Sequence, residues 1–206
     1  DSKDANACLS NKLFKITEPE YIGLAFNKVV NVDCKGSNTG QVSLMATGGT
    51  APYRFSLNGG AFQSGENFSG LASGNYNIAA KDSLGCQTSQ LVTITEPELL
   101  RPFVTAVTGP QCAGLNTGTV SVSATGGVAP YNYRINDGNF QSLGSFSSLL
   151  ANDYIVNVKD ANGCLQSLAV AVTEPAPIRV LINKEALPCL ESGTGSFSVL
   201  VSGGVA

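Results

Sequence analysis

Thr47-Gly48-Gly49-Thr50-Ala51-Pro52-Tyr53 returns as Thr125-Gly126-Gly127-Val128-Ala129-Pro130-Tyr131 and begins again as Ser202-Gly203-Gly204-Val205-Ala206. The first two copies lie 78 positions apart and the next 77, a period long enough for a small domain and too long for one turn of a solenoid. The chain is an array. Its period divides it into the C-terminal part of one repeat (1–20), complete repeats at 21–98 and 99–176, and the N-terminal part of another at 177–206. Because the chain opens part-way through a copy and stops where Pro-Tyr should follow, a window from a longer polypeptide is expected.

Only 13% of residues are charged, Gly numbers 23, and His and Trp are absent. Ser, Thr, Asn and Val are abundant, which is the composition of short strands joined by turns, so an all-β class is expected. A formal charge of -3 with no basic stripe excludes nucleic acid as a partner class, since phosphate binding needs clustered Lys and Arg. No apolar run reaches the roughly 18 residues of a membrane span.

Alternation of apolar and polar residues places the strands. In the first complete repeat, strand A is expected over 26–32, and B carries Val42, Leu44 and Ala46 on one face. Pro52 opens C, with Tyr53, Phe55 and Leu57 inward. Asn58-Gly59-Gly60 is a hairpin turn. The polar stretch between Phe62 and Phe68 is read as one short irregular strand and part of another. F carries Tyr76, Ile78 and Ala80, and G runs over 91–95, giving about seven strands. The second repeat preserves the inward faces as Val120, Val122 and Ala124, as Tyr131, Tyr133 and Ile135, and as Tyr154, Val156 and Val158. A period-2 face kept inside one molecule is what a two-sheet sandwich needs to bury a core. The segment between copies is Pro-bearing and short, so a stiff linker is expected.

Leu71-x-x-Gly74-x-Tyr76 and Leu149-x-x-Asn152-x-Tyr154 resemble the tyrosine corner of immunoglobulin-like sandwiches, a structural role for Tyr76 and Tyr154. Asp82 and Asp160 head Asp-x-x-Gly-Cys turns containing Gly85 and Gly163, where a carboxylate caps backbone amides two residues on. Ala7 replaces the turn Gly in the corresponding position of the first, partial copy. Calcium held by Asp82 or Asp160 together with Glu18 or Glu96 is the sharper alternative, but a calcium site needs six to eight oxygen ligands and the acidic residues are not clustered. No metal or other cofactor is expected. Catalysis has no base of the usual kind: with no His, a nucleophile would need Lys81 or Lys159, and no special Ser stands beside them. Gly48-Gly49 and Gly126-Gly127 are too short and too β-flanked for a phosphate loop.

Six Cys recur at fixed repeat positions, with no Cys-x-x-Cys pair, so zinc and dithiol redox chemistry are poorly supported and exported cystines fit better. Cys34 and Cys86, like Cys112 and Cys164, are 52 apart, which invites pairing within a repeat. In an immunoglobulin-like strand order, however, the A-to-B loop and the F-to-G turn lie at opposite ends. A seven-residue strand spans ~23 Å at ~3.3 Å per residue, against a Cα separation under ~7 Å for bridged Cys. End-to-end stacking would instead bring Cys34 to Cys164, leaving Cys8, Cys86, Cys112 and Cys189 for copies outside the window. The pairing of Cys8 with Cys34, Cys86 with Cys112 and Cys164 with Cys189 remains the alternative. The same strand order puts Gly48-Gly49-x-x-Pro52-Tyr53, and Gly126-Gly127-x-x-Pro130-Tyr131, at the B-to-C corner beside the Asp turn, facing the previous copy, with the glycines letting backbones approach at a seam.

Cys-x-Gly-x-x-x-Gly, Gly-Gly-x-x-Pro-Tyr, Leu-x-x-Gly-x-Tyr, Asp-x-x-Gly-Cys and Thr-Glu-Pro, in that order and twice over, resemble the SprB repeat. Asn152 and Ala7 are departures that touch turns only. The resemblance implies tandem immunoglobulin-like β-sandwiches on the surface of Bacteroidetes, in large adhesins exported by type IX secretion and associated with gliding motility. It implies an extracellular stalk or filament whose partners are neighbouring repeats and surface polysaccharide or substratum, and it carries over no catalytic residue. A carbohydrate-binding array, with Tyr21 and Phe140 as exposed aromatics, and a self-assembling filament subunit are the alternatives.

Overall fold

A computed structural model describes residues 2, 3, 5, 6, 8–10, 13, 15–18, 20–184 and 196–205. Its strands are β1 Ser2–Lys3, β2 Leu9–Ser10, β3 Gly23–Val30, β4 Gly40–Thr47, β5 Arg54–Leu57, β6 Asn67–Leu71, β7 Gly74–Lys81, β8 Gln87–Ile94, β9 Arg101–Thr108, β10 Gly118–Thr125, β11 Asn132–Ile135, β12 Ser145–Leu149, β13 Asn152–Lys159, β14 Leu165–Val172, β15 Arg179–Lys184 and β16 Phe197–Ser202. The class is all-β. Two compact units form: Asp1–Val32 with Gly36–Thr95, and Asp33–Lys35 with Glu96–Ala206. The short segment around Cys34 thus groups with the second unit.

In the first unit two antiparallel three-stranded sheets have the orders β3-β4-β6 and β5-β7-β8. In immunoglobulin lettering these are A-B-E and C-F-G, the two-sheet partition of that fold. One continuous core joins them: Val42, Leu44 and Leu71 from one sheet meet Phe55, Ile78, Ala80, Val92 and Ile94 from the other. The second unit repeats the plan with β9-β10-β12 and β11-β13-β14, around Val120, Val122, Leu149, Tyr133, Val156, Val158, Val170 and Val172. The faces read from alternation are the faces that are buried, because a strand's side chains point to opposite sides at every step.

Six strands form each complete sandwich rather than about seven. The place of a further strand is taken by an isolated bridge, with Phe55 and Gln63 exchanging backbone hydrogen bonds of 2.8 Å each. The Gln63 amide nitrogen also donates to the Gly65 and Asn67 carbonyls at 3.2 and 3.3 Å, and Gln141 does the same with Leu143 and Ser145 at 2.6 and 2.9 Å. A side chain that satisfies the loop's carbonyls removes the need for a strand partner. Strand A begins at Gly23 and ends at Val30, earlier than the 26–32 expected. Strand G begins at Gln87 rather than at 91, since its polar first half pairs fully with β7, from Lys81 opposite Gln87 onward. That half faces solvent and therefore lacks the apolar signal that marks a buried strand.

A bulge recurs in both repeats. Gly40 lies opposite Leu71 and Gln41 opposite Ser69, which leaves Gly70 as the extra residue, at φ 73°. The equivalent residue in the second repeat is Ser148, held at φ 59°. A side-chain-bearing residue pays for this left-handed backbone where glycine does not.

Two expectations follow. Ser148→Gly should raise stability by about 1 kcal/mol, read as a higher denaturant midpoint, and a lowered midpoint would contradict the strain. Ile78, fully buried, and Leu91, 72% exposed, are both apolar residues of the first unit. Ile78→Ala should cost roughly 2–5 kcal/mol in urea melts, whereas Leu91→Ala should be close to neutral.

Candidate functional site

The motif residues converge on a corner in each unit. Asp82 is only 4% exposed and Asp160 2%. The Asp82 Oδ1 accepts from the Leu84 amide at 3.0 Å and the Cys86 amide at 2.8 Å, and its Oδ2 accepts from the Thr50 amide at 3.0 Å. Asp160 repeats this with Asn162, Cys164 and Val128 at 3.0, 2.9 and 2.9 Å. The cap on the residue two positions on was legible in the sequence. The bond across to Thr50 and Val128 was not, because it depends on the B-to-C corner folding over the F-to-G turn. Ser83 then donates its amide to the Thr50 carbonyl at 2.9 Å, as Ala161 does to Val128 at 2.8 Å.

The two glycines of the corner have separate jobs. At Gly49 a Cβ would stand 2.9 Å from Asp82 Oδ2, and at Gly48 one would stand 2.1 Å from the Tyr21 carbonyl oxygen. Gly127 and Gly126 are placed likewise against Asp160 and the Leu99 carbonyl. The close approach is therefore to the segment entering the same unit, and to its own Asp turn. Tyr21 and Gly48 belong to one unit, and Leu99 and Gly126 to the other, while Gly127 also lines a cleft with Cys34 and Lys35 of the preceding repeat. The Ala51–Pro52 and Ala129–Pro130 peptides are cis. Tyr53 and Tyr131 donate their hydroxyls to the Gly48 and Gly126 carbonyls at 2.5 and 2.7 Å, which ties each corner shut.

The tyrosine corners lie at the start of strand F. Tyr76 donates to the Ala72 carbonyl and Tyr154 to the Leu150 carbonyl, each at 3.0 Å. Asn152, the departure from Gly74, caps the next amide through its own side chain at 2.9 Å.

Cys34 and Cys164 form a disulfide with a Cα separation of 5.7 Å across 130 residues of sequence. Around it, Asn162 donates its side-chain amide to the Asp33 carbonyl at 2.9 Å. Lys35 forms an ion pair and hydrogen bond with Glu96 of the Thr-Glu-Pro motif. In the next repeat Ala113 replaces Lys35, and Glu174 accepts from the Gly114 amide at 2.6 Å. Cys86 and Cys112 carry exposed thiols, Cys8 is also exposed, and Cys189 lies outside the described residues, as does Ala7.

Three of the residues weighed for calcium, Asp82, Asp160 and Glu96, are otherwise employed. Three amides occupy Asp82, three occupy Asp160, and Glu96 is paired with Lys35. Among the described residues no group of three or more acidic, Cys or His side chains could hold a metal ion. The recurring Lys81 and Lys159 lie over Phe62 and Phe140, with the ammonium 5.7 and 4.6 Å from the ring centroids. Arg134 lies over Phe140 as well, at 4.9 Å. Phe140 is thus covered by two cations and half-buried, not an open aromatic platform; Tyr21 remains exposed. Sequence reading missed these stacks because the cation and the ring come from different strands and loops.

Burial raises the Asp82 pKa, and backbone hydrogen bonds, foremost those from the Thr50, Cys86 and Leu84 amides, outweigh it, leaving the carboxyl below its ordinary 3.8. The carboxylate's contribution to stability is then complete above that value and is lost as the pH falls through the lower folded one. In acid titrations followed by circular dichroism, Asp82→Asn should flatten this limb while lowering stability at neutral pH. An acid limb identical to that of the parent protein would contradict it.

No curated protein matches the chain. Among solved structures, a C-terminal 282-residue fragment of intimin, in complex with the translocated intimin receptor's intimin-binding domain, is similar at 13% identity and TM-score 0.35, covering 78% of this chain and 66% of that one. The N-terminal eight Ig domains of Down Syndrome Cell Adhesion Molecule are similar at 12% identity and TM-score 0.37, covering 76% and 25%. A Parabacteroides merdae β-glucuronidase is similar at 12% identity and TM-score 0.24, covering 75% of this chain and 25% of that one. The chain therefore spans less than two thirds of each of these chains. The SprB repeat model matches residues 27–62 and 104–140, which hold the Cys loops and both Gly-Gly-x-x-Pro-Tyr corners. On these two matches, about one period apart, the chain carries the SprB repeat at two places.

Proposed function

We propose that this chain is a segment of an exported bacterial surface adhesin in which SprB repeats act as a stiff, disulfide-stapled spacer that carries an adhesive tip away from the cell. The observation that supports it most is what the repeat repeats. Asp82 and Asp160, Gly48 and Gly126, Tyr53 and Tyr131, and Tyr76 and Tyr154 all satisfy backbone groups or close corners. Exposed positions such as Leu84 and Asn162 differ between copies. A ligand site on every repeat would keep its exposed residues and let its corners drift. The Cys34–Cys164 disulfide suits an oxidising, extracellular setting. Secretion by the type IX route and a part in gliding belong to the same reading through the family resemblance. The absence of His from the sequence removes the usual general base and favours this structural reading over an enzymatic one.

Force spectroscopy on the oxidised and reduced protein tests the spacer reading. Oxidised, the stretch between Cys34 and Cys164 is withheld from extension; reduced, both sandwiches unfold and release it. Cys34→Ser should also lower thermal stability, by about 4–5 kcal/mol in the chain-entropy model of loop closure. Saturable binding of a glycan on an array, lost on mutation of Tyr21, would overturn the spacer reading in favour of a carbohydrate-binding array.

A further inference from the structure

Arg134 and Lys159 bring two positive charges to one ring. The guanidinium and the ammonium lie 4.9 and 4.6 Å from the centroid of Phe140. Both side chains stand on the outer face of the C-F-G sheet of the second unit, because the alternating residues Tyr133, Val156 and Val158 are buried in its core. Arg134 pairs across the strands with Asn157, two positions before Lys159. The cations are therefore diagonal neighbours, a separation of about 7–8 Å. Like charges so placed repel, and a phenyl ring offsets only part of that.

Among the described residues neither cation has an acidic partner; the ion pair there joins Lys35 to Glu96. The one acid in β11, β13 and β14 is Asp153, six positions from Lys159 and so ~20 Å away at ~3.3 Å per residue. Asp160, next to Lys159, is turned inward onto three amides. The Arg134 Nε is shielded from solvent and, among the described residues, has no acceptor. By turning onto an oxyanion it gains a charge-assisted hydrogen bond and gives up a weaker contact with the ring. Hydrogen-bonding side chains adjoin the pair: Asn132 lies opposite Lys159, and Asn157 accepts from the Ser167 hydroxyl at 2.7 Å. The first repeat differs. Lys81 lies 5.7 Å from the Phe62 centroid, but Ser56 stands at the position of Arg134, and Arg54, opposite Lys81, is exposed. That repeat has the same two charges on its sheet without the converged pair.

We propose that Arg134 and Lys159, gathered on Phe140, form a binding site for the carboxylates of an acidic polysaccharide. The guanidinium forks one carboxylate, the ammonium supplies the second charge, and Asn132 and Asn157 meet sugar hydroxyls. The chain as a whole is acidic, with a formal charge of -3, so its attraction for an anion has to be local. A shallow pair of cations gains little from one anion in water and more from a polymer that presents an anion on every unit. The site goes beyond the spacer reading and is independent of it: a spacer needs no ligand, and the converged pair belongs to one repeat rather than to the repeat pattern.

Affinity electrophoresis of the full chain in gels containing polygalacturonate tests this, with each mobility referred to a gel without polymer. Retardation should saturate with polymer concentration and weaken as salt rises. Arg134→Ala and Lys159→Ala should each weaken binding about tenfold. Arg134→Lys, which keeps the charge and loses the fork, should weaken it too, and it carries the test if Arg134→Ala fails to fold. Arg54→Ala combined with Lys81→Ala removes as much charge from the other repeat and should leave binding near that of the parent protein, as should Tyr21→Ala. Fully methyl-esterified polygalacturonate, which has no carboxylate, should not retard the chain. No retardation by polygalacturonate, equal losses from the two pairs of substitutions, full binding by Arg134→Lys, or equal retardation by poly-glutamate at matched charge would each overturn the proposal.

Discussion

One buried carboxylate per repeat does most to fix the architecture. Asp82, and Asp160 after it, places one oxygen on the amides of its own turn and the other on an amide of the opposite corner. An ion this deeply placed persists only when its lone pairs are filled by donors, and here the donors are main-chain groups of two separate connections. The B-to-C corner and the F-to-G turn therefore form together. One of the two corner glycines faces that carboxylate, and the bonded Cys164 is the residue whose amide the carboxylate holds. Corner, turn and thiol are three readings of one electrostatic constraint.

Much of the fold was legible because it rests on period-2 burial. Val42, Leu44, Ile78 and Ala80, and their counterparts a repeat later, occupy the faces that alternation assigns to them. Strand ends were less legible where a strand faces solvent: the first half of strand G is polar and its identity lies in its ladder with strand F. The missing seventh strand was illegible for a different reason. Gln63 and Gln141 meet the hydrogen-bonding needs of an irregular loop with one amide each, and nothing in composition separates a Gln that does this from one that points into water.

The site was legible in part. Spacing located the Asp turns, the tyrosine corners and the Gly-Gly corners, since each is a local motif with its partner a few residues away. Contacts joining distant segments were not written locally: the Thr50 amide on Asp82 and the Lys159 ammonium over Phe140. The need for the glycines was readable from the motif, but the neighbour that demands it is the chain's own entry segment and carboxylate.

The disulfide between Cys34 and Cys164 spans 130 positions, and a covalent link of that reach alters what proteolysis can accomplish. A single cut at any loop inside the span, whether at the Asn58 hairpin or the linker near Glu98, yields two polypeptides that remain one molecule. Shedding requires a second cut outside the bridged stretch, or a reductant. Damage to one exposed turn inside the bridged stretch is thereby separated from loss of everything beyond it.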